Sequence, residues 1–301
     1  MTRRISIIIP LLVLLFACGN EPGEAAIEQG ISQQNTLQGG REQEQGISQQ
    51  GMSQQGSAQY DPDRVAFHED KWRWIYIDAG IPSQLAQRVI ASALEGPDFI
   101  IELLALMGQD PYLYILVDKE NVLPIDYEPD DLVSLRAGSF RISRNDLSLR
   151  SMAIDALEEM ARAAAADGIT LTVGSSYRSG TYQAEVYQRW VNQLGQTEAD
   201  RISARPGHSQ HQLGLVVDFV PIDPSFADTP ASRWLLENAS RYGWSLSYPE
   251  GLEHITGYSY ESWHYRYVGK DLAALIDNYF DGIQHYALKL IQAWMHQNQG
   301  Y

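Results

Sequence analysis

The 301-residue sequence is short of cysteine, positive charge and long apolar runs. It contains a single cysteine, so no disulfide can form within the chain. It has 22 Lys and Arg against 38 Asp and Glu, which gives a formal net charge of −16. This acidic balance argues against nucleic acid and anionic lipid headgroups as electrostatic partners, because both need a basic surface. The apolar run at residues 5–16 is too short to span a membrane comfortably. The one thiol and this apolar run both lie within the first 18 residues.

Residues 1–18 have the features of a bacterial export signal. Arg3 and Arg4 form a basic start, and the apolar run follows them. The run ends at Ala17 and Cys18, a sequence that resembles the lipoprotein cleavage box, in which the cysteine becomes lipidated. An ordinary signal peptide with a chance cysteine is the alternative, but the sole cysteine stands where the box requires it. We therefore predict export and a lipid anchor at Cys18, facing the cell wall or periplasm.

Residues 19–60 are rich in Gly, Gln, Ser and Glu and have few large apolar side chains. The sequence GISQQ occurs at residues 30–34 and 46–50, and GMSQQ follows at residues 51–55. Such a segment cannot bury enough apolar surface to offset the entropy lost on ordering, so we expect a flexible tether. An alternative is that the glutamine-rich repeats bind or aggregate on their own.

Two short segments farther along the chain carry the chemistry. Asp218 lies within the apolar run 215–220, which predicts a buried strand. An unpaired carboxylate there would cost several kcal/mol of desolvation, so it needs a cation or a proton. His211 stands just upstream, behind the turn-forming residues 205–207. His264 opens an alternating segment typical of a neighbouring strand.

These two histidines and Asp218 make three candidate ligands for a divalent metal. Zinc held by three protein ligands keeps a fourth position for water, which is the catalytic arrangement. Glu261, three residues before His264, is then the natural general base. Taken singly, a lone histidine is usually a surface or hydrogen-bonded core residue, and a lone glutamate is usually solvated. The joint pattern favours a zinc hydrolase.

The same residues carry a resemblance to a known family. The pattern S-x-H-x-x-G-x-x-x-D at residues 209–218, followed by E-x-W-H-x-R-Y at residues 261–267, resembles the VanY-type D-alanyl-D-alanine carboxypeptidases of the LAS group of zinc metallopeptidases. Residues 123–132 resemble the segment with which that family's domain opens, and residues 175–179 with Gln183 resemble its substrate loop. The resemblance covers approximately residues 112–276, with the motifs in the family's order.

The resemblance implies a role for each matching residue. The zinc ligands would be His211, Asp218 and His264, and Glu261 would be the catalytic base. It also implies that Arg178 stabilises the oxyanion, a use for which a fixed guanidinium is well suited. Ser209 and Gln183 are similar to substrate contacts of the family. The alternatives are a surface salt bridge for Arg178 and a solvated helix face for Gln183.

The remaining histidines lack a partner at ligand spacing. His208, next to the motif, is interpreted as a structural residue or one that supports the ligands, because the set of three is already complete. The others are expected to be ordinary; they are His68, His254, His285 and His296.

The chain beyond the tether is expected to form a helical lead-in at residues 61–110 and a catalytic domain at residues 111–301. Apolar periodicity predicts two helices between residues 81 and 107. Further predictions are a helix at 151–167 followed by a strand at 169–173, helices at 181–194 and 232–242, and a helix or helix pair at 271–296. The expected class is α+β: a small antiparallel sheet that carries the zinc site, flanked by helices, as in the Hedgehog/DD-peptidase fold that the resemblance implies.

The resulting prediction is a zinc-dependent D,D-carboxypeptidase that removes the C-terminal D-alanine from peptidoglycan stem peptides. An L,D-carboxypeptidase acting on tetrapeptide stems is an alternative, because the motif residues do not separate the two. A non-catalytic, peptidoglycan-binding lipoprotein is a third. It is disfavoured because the ligands, Glu261 and Arg178 are all present.

Overall fold

The computed structural model describes residues 69–96 and 98–298. The predicted export signal, the lipidation site Cys18 and the tether at residues 19–60 lie outside the described residues, as does His68. Within the described residues, no helix is both long enough and apolar enough to cross a membrane.

The helices occur partly in consecutive runs and partly with short strands between them. They are α1 (Glu69–Asp78), α2 (Ser83–Glu95), α3 (Asp98–Leu106), α4 (Ser151–Ala166), α5 (Gly180–Leu194), α6 (Gln196–Ile202), α7 (Pro230–Asn238), α8 (Glu253–Thr256), α9 (Lys270–Phe280) and α10 (Gln284–Asn298). The strands are β1 (Leu132–Ser134), β2 (Arg141–Ile142), β3 (Ser148–Arg150), β4 (Thr172–Ser175), β5 (Val216–Phe219), β6 (Trp244–Leu246) and β7 (His264–Tyr267).

Five of these strands form one sheet in the order β2-β4-β5-β7-β6. The pairs β4–β5, β5–β7 and β6–β7 are antiparallel, whereas the edge strand β2 runs parallel to β4. β1 and β3 form a separate antiparallel pair. The predicted α+β class is confirmed, with the correction that the sheet is mixed at the β2 edge.

The lead-in helices share their core with the rest of the structure. The buried residues of α1–α3 belong to the same hydrophobic cluster as those of α9 and α10. Phe99 of α3, for example, lies edge-on to the ring of Tyr279, with 4.9 Å between their centroids. The predicted helices between residues 81 and 107 are confirmed as α2 and α3, and the C-terminal pair is confirmed as α9 and α10.

The strand predicted at residues 169–173 begins later than expected. Gly168, at φ +77°, ends α4, and the Ile169 N–H donates back to Ala164 O at 2.8 Å. These residues therefore complete the helix terminus, as a left-handed glycine at a helix end commonly does. β4 starts only at Thr172, and its last residue, Ser175, pairs with Asp218 on β5.

Candidate metal centre and active site

The pairing of β5 with β7 sets the first half of the site. Their antiparallel register places Asp218 directly opposite His264. Side chains at opposed positions of antiparallel strands have Cβ atoms about 5 Å apart, so the carboxylate and the imidazole must meet on one face of the sheet. All four residues of β5 are buried, as the apolar sequence predicts. The strand therefore carries Asp218 into the interior.

His211 reaches the same point from a short 3₁₀ helix at Gln210–Leu213, just before β5. Ser209 caps this helix, its Oγ accepting the His211 N–H at 3.3 Å. Gly214 then turns the chain into the strand at φ +67°, where a Cβ would come within 2.9 Å of Leu132 Cδ2. A left-handed turn in so close a contact requires glycine.

The His211 ring is oriented by the main chain. Its Nδ1 lies 2.6 Å from the carbonyl oxygen of Ser176, so this nitrogen carries the hydrogen and donates it. The other ring nitrogen, Nε2, is left with its lone pair directed at Asp218, whose Oδ2 is 3.1 Å away. This backbone anchor is the arrangement that usually fixes a metal-binding histidine.

The three predicted ligands converge in a buried triangle. His264 Nδ1 lies 3.2 Å from Asp218 Oδ1. The two imidazole rings stand nearly perpendicular, at 83°, with centroids 4.9 Å apart. One donor atom from each of His211, Asp218 and His264 falls within 4.8 Å of the others, and all three residues are buried.

The chemistry of this triangle fits a divalent cation. Asp218 Oδ1 is buried and accepts no hydrogen bond from any described residue, although an imidazole nitrogen is close. Burial opposes the charge on Asp218, but the imidazoles of His211 and His264 hold its pKa well below the usual range. Burial lowers the pKa of His211, which keeps that ring neutral and able to ligate. Two imidazole nitrogens and one carboxylate form a set of ligands typical of catalytic zinc.

Glu261 lies beside the triangle without joining it. Its Oε2 is 3.2 Å from His264 Nδ1, and its side chain is 17% exposed. Main-chain hydrogen bonds fix it, because its N–H donates to Tyr248 O at 3.1 Å and its carbonyl accepts from His264 N–H at 3.2 Å. Burial raises the pKa of the Glu261 carboxyl, despite the contact with His264. A raised pKa at a partly exposed position suits a group that exchanges protons.

Arg178 places a cation beside the same cluster. Its N–H donates to His211 O at 3.2 Å, and its guanidinium donates to Gln183 Oε1 at 2.7 Å and to Ser175 Oγ at 3.2 Å. No carboxylate among the described residues forms a salt bridge with it, and burial lowers its pKa. The guanidinium is thus held by neutral groups and keeps capacity for an external anion.

The two predicted substrate contacts have structural partners in the cluster. Gln183 is 1% exposed, and its Nε2 donates to Ala204 O at 2.6 Å while its Oε1 receives the hydrogen bond from Arg178. Ser209, also buried, caps the helix that carries His211. Both residues line the groove described next. Their contact with substrate stays a prediction, and the structure adds that they position Arg178 and His211.

The cluster opens into a groove of about 1400 Å³. One wall comes from α5 and α6, and the other comes from the loop after β5 and from residues 248–261. The predicted metal ligands, Glu261, Arg178, Gln183 and Ser209 all line this groove. Small-molecule pockets usually measure about 300–1,000 Å³, so the groove has room for an extended ligand.

Sequence reasoning missed two neighbours of the metal centre. The ring of Tyr248 lies against that of His264, with centroids 4.7 Å apart, and Ser176 contributes its carbonyl to His211. A main-chain carbonyl leaves no signal in residue type, and Tyr248 stands outside every motif.

His208, expected to have a structural or supporting role, contacts Asp118 O through Nδ1 at 2.8 Å. His285, expected to be ordinary, is buried, and burial lowers its pKa to about 4.

Comparison with known proteins agrees with the geometry of the site, because the matching proteins are carboxypeptidases. Residues 146–270 match the model of the VanY family, described as D-alanyl-D-alanine carboxypeptidase. The putative carboxypeptidase YodJ of Bacillus subtilis is 38% identical over 170 residues, which are 54% of this chain and 62% of that protein. The chain thus spans less than two thirds of YodJ. A D-alanyl-D-alanine carboxypeptidase of Enterococcus faecalis is 32% identical over 206 residues, covering 65% of this chain and 70% of that protein.

Among solved structures, the LdcB LD-carboxypeptidase is similar in sequence and fold. It is 36% identical with a TM-score of 0.52, and the match covers 58% of this chain and 89% of LdcB. The structure of LdcB is described as revealing the molecular basis of peptidoglycan recognition.

Proposed function

Because the chain belongs to the VanY family of D-alanyl-D-alanine carboxypeptidases, which are zinc peptidases, we propose that it removes the C-terminal D-alanine from peptidoglycan stem peptides at the cell wall. One observation carries the proposal. His211, Asp218 and His264 form a buried triangle with Glu261 beside it, and all four residues line a groove of about 1400 Å³. Three protein ligands and an adjacent carboxylate are what hydrolysis of a peptide requires.

His211, Asp218 and His264 would hold the zinc ion. When bound, the ion supplies Lewis-acid chemistry, which lowers the pKa of water and polarises the scissile carbonyl. The chain contributes the orientation of its ligands. The Ser176 carbonyl fixes the tautomer of His211, and the strand register fixes His264 opposite Asp218.

Glu261 would act as general base and then as general acid. Its carboxylate accepts a proton from the attacking water, and the same proton passes to the amine of the departing D-alanine. The raised pKa brings Glu261 closer to working pH, where a group can both take and return a proton. Its main-chain hydrogen bonds hold it at the edge of the triangle, where it lines the groove together with the ligands.

Arg178 would stabilise the negative charge that develops on the carbonyl oxygen. Its guanidinium is already oriented by Gln183 and Ser175, so little reorganisation accompanies the reaction. A fixed donor of this kind is worth about 3 kcal/mol of transition-state stabilisation in comparable sites. Gln183 then acts through Arg178 by holding it in place.

A second candidate is L,D-carboxypeptidase activity on tetrapeptide stems. The similarity to LdcB, an LD-carboxypeptidase at 36% identity, favours it. The metal ligands, Glu261 and Arg178 would serve either reaction, because both cleave a peptide bond to a terminal D-alanine. The residue that precedes the scissile bond is the difference between the two substrates.

The stem peptides themselves separate the two candidates. We expect the zinc-loaded protein to release D-alanine from pentapeptide stems faster than from tetrapeptide stems. Chromatographic identification of the released amino acid, with both peptides at equal concentration, measures this. Faster release from the tetrapeptide would assign the L,D activity. No release from either peptide by zinc-loaded protein would contradict both.

Replacing Glu261 by Gln should separate metal binding from chemistry. The side chain keeps its shape but loses its proton acceptor, so turnover should fall roughly a hundredfold or more while zinc content stays near that of the wild type. Elemental analysis and D-alanine release on one preparation measure the two effects. Glu159→Gln, on α4 in a surface ion pair with Lys270, is the matched control and should keep its activity. Loss of zinc from Glu261→Gln would instead make Glu261 a ligand.

We further propose that the chain is exported as a lipoprotein anchored through Cys18, with residues 19–60 as a flexible spacer. The basic start, the apolar run and the sole cysteine at the cleavage box support this. An anchored enzyme on a tether would work close to the cell wall, where the stem peptides lie.

Replacing Cys18 by Ser should release the protein from the membrane without loss of peptidase activity. Lipidation needs the thiol, whereas the candidate active site lies about 160 residues or more from Cys18 in the sequence. Fractionation of cells that express the full chain, with D-alanine release measured in each fraction, tests this. Ser32→Ala within the repeats is the control and should remain membrane-bound. A membrane-bound Cys18→Ser variant would mean that the apolar run itself is the anchor.

A further inference from the structure

We propose that Lys119 determines substrate specificity by binding a carboxylate that the substrate carries upstream of the scissile bond. The proposal rests on the peptidase function proposed above and deepens it by naming a charged group that the enzyme prefers in its substrate. Lys119 lines the same groove as the metal ligands, but it belongs to none of the motifs that carry the catalytic residues.

The backbone beneath Lys119 is fixed by a dense set of hydrogen bonds. Asp118 Oδ1 accepts the N–H groups of Glu120 and Asn121 and the Asn121 side-chain amide, each at 2.8 Å. The Asp118 carbonyl also contacts His208 Nδ1 at 2.8 Å. Asp118 is buried, so it anchors the turn from the inside. The turn therefore presents Lys119 to the groove from a rigid base.

The side chain of Lys119 is also positioned. Its ammonium lies over the ring of Tyr258, 4.9 Å from the centroid. Its stem packs on Gly257, where an added Cβ would come within 3.0 Å of Lys119 Cδ. Cation–π contact and packing of the stem both restrict the side chain before a ligand arrives. Less conformational entropy is then lost on binding, which favours affinity.

Lys119 forms no salt bridge with a described carboxylate, although its charge contributes, after that of Arg205, to the lowered pKa of the nearby Asp200. The groove carboxylates nearby are already paired, since Asp200 accepts two hydrogen bonds from Arg205 at 2.9 Å and Glu253 accepts one from Arg201 at 2.8 Å. No carboxylate of residues 69–96 and 98–298 forms an ion pair with Lys119. An ammonium with three donors and no acceptor in a groove favours an anionic ligand group.

The position of Lys119 defines where that group must be. Tyr258 lies against Tyr248 with 5.1 Å between centroids, and Tyr248 lies against His264 with 4.7 Å between centroids. These contacts put the ammonium within about four extended residues of His264, since an extended chain advances ~3.5 Å per residue. Lys119 forms no ion pair with Asp218 or Glu261, the carboxylates of the reacting centre, whose close charged partners are the two imidazoles. It is close enough to bind a carboxylate on a residue that precedes the scissile bond.

Matched stem peptides test the proposal. Each pair has a free carboxylate or a carboxamide on one residue upstream of the terminal D-alanine and is otherwise identical. We expect the wild type to prefer one carboxylate peptide by roughly tenfold in kcat/KM, mainly through KM, as for a hydrogen bond to a charged group. Lys119→Met should abolish the preference by weakening binding of the carboxylate peptide, and Lys119→Arg should keep most of it.

Lys270→Met is the matched control, because Lys270 pairs with Glu159 away from the groove. It should keep the wild-type preference. Zinc content and thermal unfolding of each variant check its fold, and Lys119→Gln replaces Lys119→Met if the latter does not fold. A wild type that treats every pair equally would overturn the proposal, as would a Lys119 variant that slows both peptides of a pair to the same extent.

Failure of the peptidase function would have a different signature. Binding of the same peptide pairs to Glu261→Gln can be measured by calorimetry without turnover. Discrimination that depends on Lys119 in binding, with no D-alanine released by the wild type, would support the carboxylate site and contradict the peptidase. Release of D-alanine without discrimination in binding or in turnover would support the peptidase and overturn the carboxylate site.

Discussion

The burial of the Asp218 carboxylate between two imidazoles is the constraint on which this structure depends. A charged group in the middle of an apolar strand is costly unless its charge is compensated. The β5–β7 register brings His264 opposite to it, and the turn at Gly214 brings His211 to its other side. With one imidazole anchored to the Ser176 carbonyl, the donor atoms of all three residues lie close enough together to hold one cation.

The position of each surrounding residue relative to the triangle suits it to a different role. Glu261 lies beside the triangle on main-chain hydrogen bonds, where a carboxylate can exchange protons without serving as a ligand. Arg178 is held by Gln183 and Ser175, so its charge faces the reacting centre without a carboxylate partner in the described structure. Lys119 lines the same groove, where a rigid turn and the ring of Tyr258 position it. Two positioned cations that line one groove with the predicted metal ligands suit an anionic substrate.

The sequence predicts much of this site because its motifs encode local geometry. An apolar strand interrupted by one aspartate identifies Asp218, and an alternating strand opened by a histidine identifies His264. The resemblance to the VanY family and the α+β class are both confirmed. The roles of the individual site residues, including the lipidation of Cys18, remain predictions.

Other features could not be read from the sequence. The parallel pairing of β2 with β4 depends on contacts between distant segments, which no local pattern specifies. The late start of β4 follows from the way Gly168 and Ile169 complete α4. The anchoring of His211 by a main-chain carbonyl is independent of residue type, and the contact of Lys119 with Tyr258 joins segments about 140 residues apart. Long-range packing decides each of these.

A crystal structure of the zinc-loaded protein, with anomalous diffraction measured at the zinc edge, tests the central claim most directly. We expect one ion bonded to His211 Nε2, Asp218 and His264 Nδ1 at about 2.0–2.2 Å, with the Glu261 carboxylate outside the coordination sphere. An ion bonded to Glu261 in place of one of these three, or zinc bound only elsewhere on the chain, would contradict the account.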